Sequence, residues 1–162
     1  MKEIDIINKI KTKFPENTLE WVEAEHGDNY LFVPAEHIDQ IVKFIKEDWD
    51  LSFDHLVNLS ACDMGEHLEA TYHFDSYKQE HKIVLKVKLP RQGGKVNTLS
   101  QLYGTAIYQE REAFDHFGIT FVGHSNLKRL LLPDDWEGFP LLKDYQEKDR
   151  YHEIETTRPS LL

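Results

Sequence analysis

The chain has 162 residues, one domain's worth and enough to bury a sizeable core, with 40% hydrophobic and 30% charged residues. Its formal net charge of −10 argues against nucleic acid and against unaided binding to anionic lipid, since both call for a basic surface. No apolar run approaches the ~20 residues of a membrane span, and a lone cysteine, Cys62, excludes an internal disulfide or a multi-thiolate zinc site.

The first residues, "MKEIDIINKIKTKFPEN", mix apolar and charged side chains and lack the apolar core expected of a signal peptide. Ile7, Ile10 and Phe14 fall on one helical stripe. Glu3 and Asp5 precede them, Lys11 and Lys13 follow, and Pro15 closes the helix, in keeping with the helix dipole. "LEWVEAEHGDNYLFVP" predicts a hairpin turning at Gly27 and Asp28. A second helix is expected from Pro34, with Ile38, Ile41, Val42, Ile45 and Trp49 on its apolar face.

Three strands follow, near residues 54–61, 68–75 and 81–89. In the last, His81, Ile83, Leu85, Val87 and Leu89 point one way while Lys82, Lys86 and Lys88 point the other. That alternation predicts a sheet with one buried and one solvated face. Cys62 reads as a buried structural thiol, because Asp63 beside it disfavours the thiolate. "RQGGKVN" reads as a flexible turn. The longest helix is expected from Thr98, which has capping-box spacing to Gln101, to a stop at Gly118. The predicted class is an α+β two-layer sandwich of order α-β-β-α-β-β-β-α with a mixed sheet. It occupies residues 1–122, and "ITFVGH" near its end suits a short strand. An irregular anchor segment and arm occupies 123–162.

On a helical wheel, Leu99, Leu102, Tyr103, Ala106, Ile107, Ala113, Phe114 and Phe117 share a stripe. Glu110 lies in its middle; Arg111, Glu112 and Asp115 lie outside it. A carboxylate facing the core needs partners. It is either a proton carrier or general acid, or a structural anchor taking hydrogen bonds from Lys128, Arg129 or backbone N–H groups of residues 120–135. The anchor is preferred, because no nucleophile or second carboxylate is evidently placed to share the chemistry. Arg111 and Asp115, four apart, suit an exposed helix pair.

Other chemistry is weaker. Glu112 and His116 could make a metal pair, but a tight site needs a further ligand, and His124 lies beyond the helix. "GHSNL" lacks the second glycine of a nucleophile elbow. "RQGGKVNT" lacks the spacing of a phosphate loop. Asp134, Asp135 and Glu137 read as a solvated turn after Pro133. The run "RLLLPDDWEGFPLLKDY" interleaves Leu130, Leu131, Leu132, Trp136, Phe139, Leu141, Leu142 and Tyr145 with Pro133, Gly138 and Pro140. The prolines and glycine forbid a continuous helix, so these side chains must be buried against this domain or another subunit. Residues 146–162 read as a polar tail or an arm that orders on a partner.

"EREAFDHFGITFVGH" followed by "LKRLLLPDDWEGFPLLKDY" resembles the signature of the 30-kilodalton, or C-type, subunit family of proton-translocating NADH:quinone oxidoreductase, respiratory complex I. The motif positions are Glu110, Arg111, Glu112, Asp115, Gly118, His124, Lys128 and Arg129. "KIVLKVKLPR" is similar too. The resemblance implies a cofactor-free subunit of the peripheral arm. Its neighbours would be the large quinone-site (D-type) subunit and an iron–sulfur (I-type) subunit. FMN and iron–sulfur clusters would belong to other subunits. It implies a peripheral place on the cytoplasmic face of the inner membrane and no catalytic or metal residues in this chain. The expected partner interface is Leu130, Leu132, Trp136, Phe139, Leu141, Lys143, Asp144 and Tyr145. The same family also serves membrane-bound hydrogenases and ferredoxin-oxidising complexes, which is the alternative. A free-standing metal or acid/base enzyme using Glu110, Glu112, His116 and His124 is the reading from a different class.

Overall fold

Helix α1, Glu3–Lys13, forms where the isoleucine stripe predicts it: Ile6, Ile7 and Ile10 are buried and the acids and lysines sit at the expected ends. The computed structural model describes residues 1–156. Strands β1 (Glu20–Val22) and β2 (Tyr30–Phe32) make the predicted hairpin, with Gly27 in the left-handed region at φ +86°.

Helix α2 spans Ile38–Glu47, starting four residues after Pro34. Its C-terminus corrects one expectation. The Asp48 carboxylate accepts the N–H groups of Asp50 and Leu51 and holds Lys9 at 2.6 Å, so the backbone leaves the helix there. Trp49 therefore falls outside the apolar face and is 73% exposed, with the Lys78 ammonium over its ring. Leu51 and Phe53 fill the core behind it.

Strands β3 (His55–Asp63), β4 (His67–Ser76) and β5 (His81–Pro90) form an antiparallel meander. β2 adds parallel to β5, pairing Leu31 with Leu85, to give a five-stranded mixed sheet ordered β1-β2-β5-β4-β3. Leu56, Leu59, Leu68, Ala70, Tyr72, Phe74, Ile83, Leu85 and Val87 belong to one buried cluster with the helices. That is the two-layer sandwich. On the opposite face Lys86 and Lys88 lie over the rings of Tyr30 and Phe32, and Lys86 reaches Glu69 at 3.3 Å. Cys62 faces this side and is exposed, not buried, because the strand alternation gives the inward position to Asp63.

Two further expectations change after β5. "RQGGKVN" ends in strand β6, Lys95–Asn97, which pairs parallel with β7, Thr120–Val122, burying Val96 and Phe121. Helix α3 spans Ala106–Phe117 and so begins eight residues after Thr98. Residues 99–103 form a tight turn whose Leu99 and Tyr103 are buried, with the Tyr103 hydroxyl donating to Phe53 O at 2.7 Å. Those two anchors hold the turn away from helical continuation, and Thr98 serves the Glu110 carboxylate instead of a capping box with Gln101. After β7 the described chain contains only the small hairpin β8 (Arg150–Tyr151) and β9 (Ile154–Glu155). His152 and Glu153 both have positive φ there, as a two-residue primed turn requires. The last six residues of the predicted arm lie outside the described residues.

Candidate functional site

Helix α3 carries two buried carboxylates, and each holds a different piece of chain. Glu110 is fully buried, as its place on the stripe predicts. Its donors are not those expected. Thr98 Oγ1 donates to Oε2 at 2.5 Å and the Leu99 N–H to Oε1 at 2.6 Å. Glu110 thus ties the pre-helical turn to α3, and no donor comes from residues 120–135. Burial pushes its pKa up to about 7, against the opposing pull of the Thr98 and Leu99 hydrogen bonds.

The anchor for the downstream segment is Asp115, which the wheel places outside the stripe. It too is fully buried. Its Oδ2 accepts three successive backbone N–H groups, from Leu130 at 3.1 Å, Leu131 at 2.8 Å and Leu132 at 2.9 Å. Oδ1 pairs with Arg129 Nη1 at 2.9 Å, and the same guanidinium donates to the carbonyls of Asp115, Trp136 and Gly138. Burial alone would raise the Asp115 pKa. The Leu132 N–H, the Arg129 guanidinium and the N–H groups of Leu131 and Leu130 outweigh it and hold the carboxyl below its usual range. The downstream segment covers this side of α3, so Asp115 is off the stripe yet out of solvent.

Arg111 does not pair with Asp115. It donates to Lys128 O at 3.1 Å and Arg129 O at 2.7 Å, adding a second grip on the same segment. His124 lies 3.0 Å from Ile107 O through Nε2, while Nδ1 accepts the Asn126 N–H at 3.0 Å. A carbonyl only accepts and an N–H only donates, so the ring proton sits on Nε2. Gly118 ends α3 at φ +74°, and a Cβ there would lie 2.6 Å from the Phe139 ring. Phe139 stacks edge-on against Phe114, with Arg129 over its ring at 5.4 Å. Its packing partners are therefore within this domain, although the sequence pattern sets it in a partner interface.

A third carboxylate clamps the far end. Asp63, at the end of β3, is buried and takes Arg91 Nε at 3.1 Å and Nη2 at 2.6 Å, the Gly65 N–H at 2.8 Å and the Lys143 N–H at 2.9 Å. Arg91, followed by the Lys143 N–H, holds its pKa well below the usual range. Arg91 also grips Asp144. Residues 128–144 thus form a strap fixed at both ends by charge-assisted bonds. Leu131 (64%) and Leu141 (54%) are exposed on it, while Leu130, Leu132, Trp136 and Tyr145 are half-buried. Tyr145 packs against Gly138, and Trp136 against Tyr151. Lys128, Lys143, Asp144 and Glu112 are exposed.

Residues 31–151 match the respiratory-chain NADH dehydrogenase 30-kilodalton subunit family. The chain belongs to that family.

The 30-kilodalton subunit relatives include the NADH-quinone oxidoreductase C-type subunit of a Roseiflexus species, 37% identical over 142 residues, covering 86% of this chain and 81% of the relative. That of Roseiflexus castenholzii is 41% identical over 121 residues, covering 73% and 70%. That of Chloroherpeton thalassium is 38% identical over 128 residues, but this chain spans only 53% of its length. Among the solved structures that share the fold are these two. One is a trypsin-resistant fragment of Nqo5 (TM-score 0.64, 22% identity, 78% of this chain and all of that one). The other is a chain of an archaeal membrane-bound sulfane sulfur reductase (TM-score 0.74, 24% identity, 90% and 86%).

Of the signature residues, Arg111, Asp115, Gly118, Lys128 and Arg129 therefore meet at the strap, whereas Glu110 ties the pre-helical turn, His124 bonds Ile107 and Asn126, and Glu112 faces solvent. Among the described residues, no group of three or more His, Cys, Asp or Glu side chains comes together as a metal site. Sequence reasoning missed the roles of Asp63 and Arg91, and assigned Thr98 to a helix cap instead of to Glu110. Asp63 meets Arg91 across 28 positions and Lys143 across 80, separations that no local pattern encodes.

Proposed function

We propose that this chain is a peripheral-arm subunit of a complex I-type NADH:quinone oxidoreductase. It acts as a structural and assembly element beside the large quinone-site subunit and the iron–sulfur subunit, binds no cofactor itself and sits on the cytoplasmic side of the membrane. The names of the relatives support the complex. The strap carries the structural role. Its backbone is irregular, yet Asp115, Arg129 and Asp63 hold it in one conformation with Leu131 and Leu141 turned outward. A pre-ordered apolar surface loses little entropy on docking. The buried carboxylates are occupied by structural donors, which fits anchoring and leaves none evidently free as a general base.

Affinity capture of the full chain from membranes of its own organism, with identification of retained subunits, tests the proposal. The quinone-site and iron–sulfur subunits are expected. A hydrogenase-type large subunit in their place would move the chain to a related complex, and capture of neither would refute the role. Of the expected anchors, Leu130, Leu132, Trp136, Leu141, Lys143, Asp144 and Tyr145 are kept, the exposed Leu131 joins them, and Phe139 serves the domain itself.

A further inference from the structure

β3 is the last strand of the five-stranded sheet, and no strand pairs with its outer side among the described residues. Which of its backbone groups face outward follows from the turn after it. Met64 N–H donates to His67 O, so Met64 and His67 are a hydrogen-bonded pair. Antiparallel pairs alternate. Counting along the register, Cys62 with Glu69 and Ser60 with Thr71 exchange bonds inside the sheet, and Ala61 and Leu59 turn their N–H and C=O groups outward. At the bulge near Val57 the protein covers its own edge: Thr105 Oγ1 donates to Leu56 O at 3.2 Å and Gln109 Nε2 to Val57 O at 3.3 Å. Beyond that point the capping stops.

Beside the uncapped length runs a groove of about 180 Å³ between β3 and α3, lined by Asn58, Ser60 and Ala61 on one side and Glu112 and His116 on the other. Leu141 of the strap closes part of it. The exposed Glu112 carboxylate gives the groove an anionic wall, and His116 Nδ1 is buried without a hydrogen-bond partner. An unpaired strand edge is normally blunted by charge, proline or covering chain. Here the covering is built over one half and missing over the other.

We propose that the free half of β3 receives an extended strand from a partner subunit, one that carries a lysine or arginine opposite Glu112. The backbone pattern recognises an extended chain, the narrow groove beside it admits side chains on one face of that strand, and Glu112 selects a cation. This rests on the reading of the chain as a subunit of a larger complex.

Hydrogen exchange of the isolated full chain and of the purified complex tests it. The Leu59 and Ala61 amides are expected to exchange rapidly in the isolated chain and to slow by at least about 100-fold in the complex. Ala61→Pro removes an outward donor and leaves the internal ladder intact. It is expected to keep the circular dichroism of the parent and to lower partner retention by about tenfold, as is Glu112→Lys. If the chain is retained with its partner subunits but both amides stay fast, strand addition is wrong and the subunit reading stands. If no subunit is retained, both fail. Slow exchange in a dimeric isolated chain would put a second copy on the edge and overturn the proposal.

Discussion

Glu110→Gln gives a stability change whose size depends on pH in a defined direction. In the folded chain the Glu110 pKa is pushed from an ordinary 4.5 up to about 7. Below pH 4.5 both folded and unfolded chains hold the proton and the group is neutral in its effect. Between 4.5 and 7 the unfolded chain releases the proton while the folded chain keeps it. Stability therefore falls as pH rises through this window and levels off above it. At about 1.4 kcal/mol per pH unit the whole fall is roughly 3 kcal/mol. The amide introduced by the substitution cannot ionise, and its oxygen can still accept the Leu99 N–H. The steric cost of the substitution does not depend on pH. Titration of every other group cancels between the two proteins. Urea unfolding of both at pH 5, 6, 7 and 8 is the assay. The variant should gain on the parent by roughly 2–3 kcal/mol from pH 5 to pH 8. A difference constant to within about 0.5 kcal/mol across that range would mean that the protein stabilises the ionised carboxylate fully, and the burial argument would be wrong.

Asp115→Ala should cost about 3–5 kcal/mol, since it leaves three N–H groups without their acceptor and Arg129 without its carboxylate partner, and limited proteolysis should then cut within residues 128–144. The Asp115 pKa lies below its ordinary value, so its contribution is present above that value and is lost as pH falls through the folded pKa; the difference between parent and Asp115→Ala in urea unfolding should shrink toward acid. Gly118→Ala combines a left-handed backbone with a ring 2.6 Å away and should cost roughly 2 kcal/mol or more, read as a lower melting temperature. Phe139→Ala should destabilise the isolated domain by about 2 kcal/mol, whereas Leu141→Ala should change its stability by under about 0.5 kcal/mol and weaken capture of partner subunits. Equal effects of the two on the isolated domain would place both side chains in its core.

The elements that repeat locally were readable: the isoleucine stripe of α1, the alternation of β5 and the Gly27 hairpin all match the structure. So was the burial of Glu110, because one acid among eight apolar positions stands out on a wheel. The misreadings share a cause. Asp115 looked exposed because the wheel knows only the helix's own core-facing stripe, and a second surface, the strap, arrives from 15 residues downstream. Trp49 looked buried because periodicity continues past the point where the Asp48 side chain captures the next N–H groups. Thr98 had the spacing of a cap, but Leu99 and Tyr103 had already committed the turn to the core. In each case a tertiary contact displaced a sound local preference. The signature stretch is dense in charge because irregular chain lacks a ladder, and its backbone groups need side-chain partners.

The parallel pairing of β2 with β5 sets an order of events in synthesis. The β3-β4-β5 meander joins neighbours through short turns and can close as soon as it leaves the ribosome. Residues 1–47 emerge first but must wait, because β2 has no sheet to join until residue 86 is available. α3 must then bring Asp115 into place before the strap has anything to fold onto. The strap, proposed as a docking surface, is thus made and set after the sheet, so a nascent chain that stalls early does not display it.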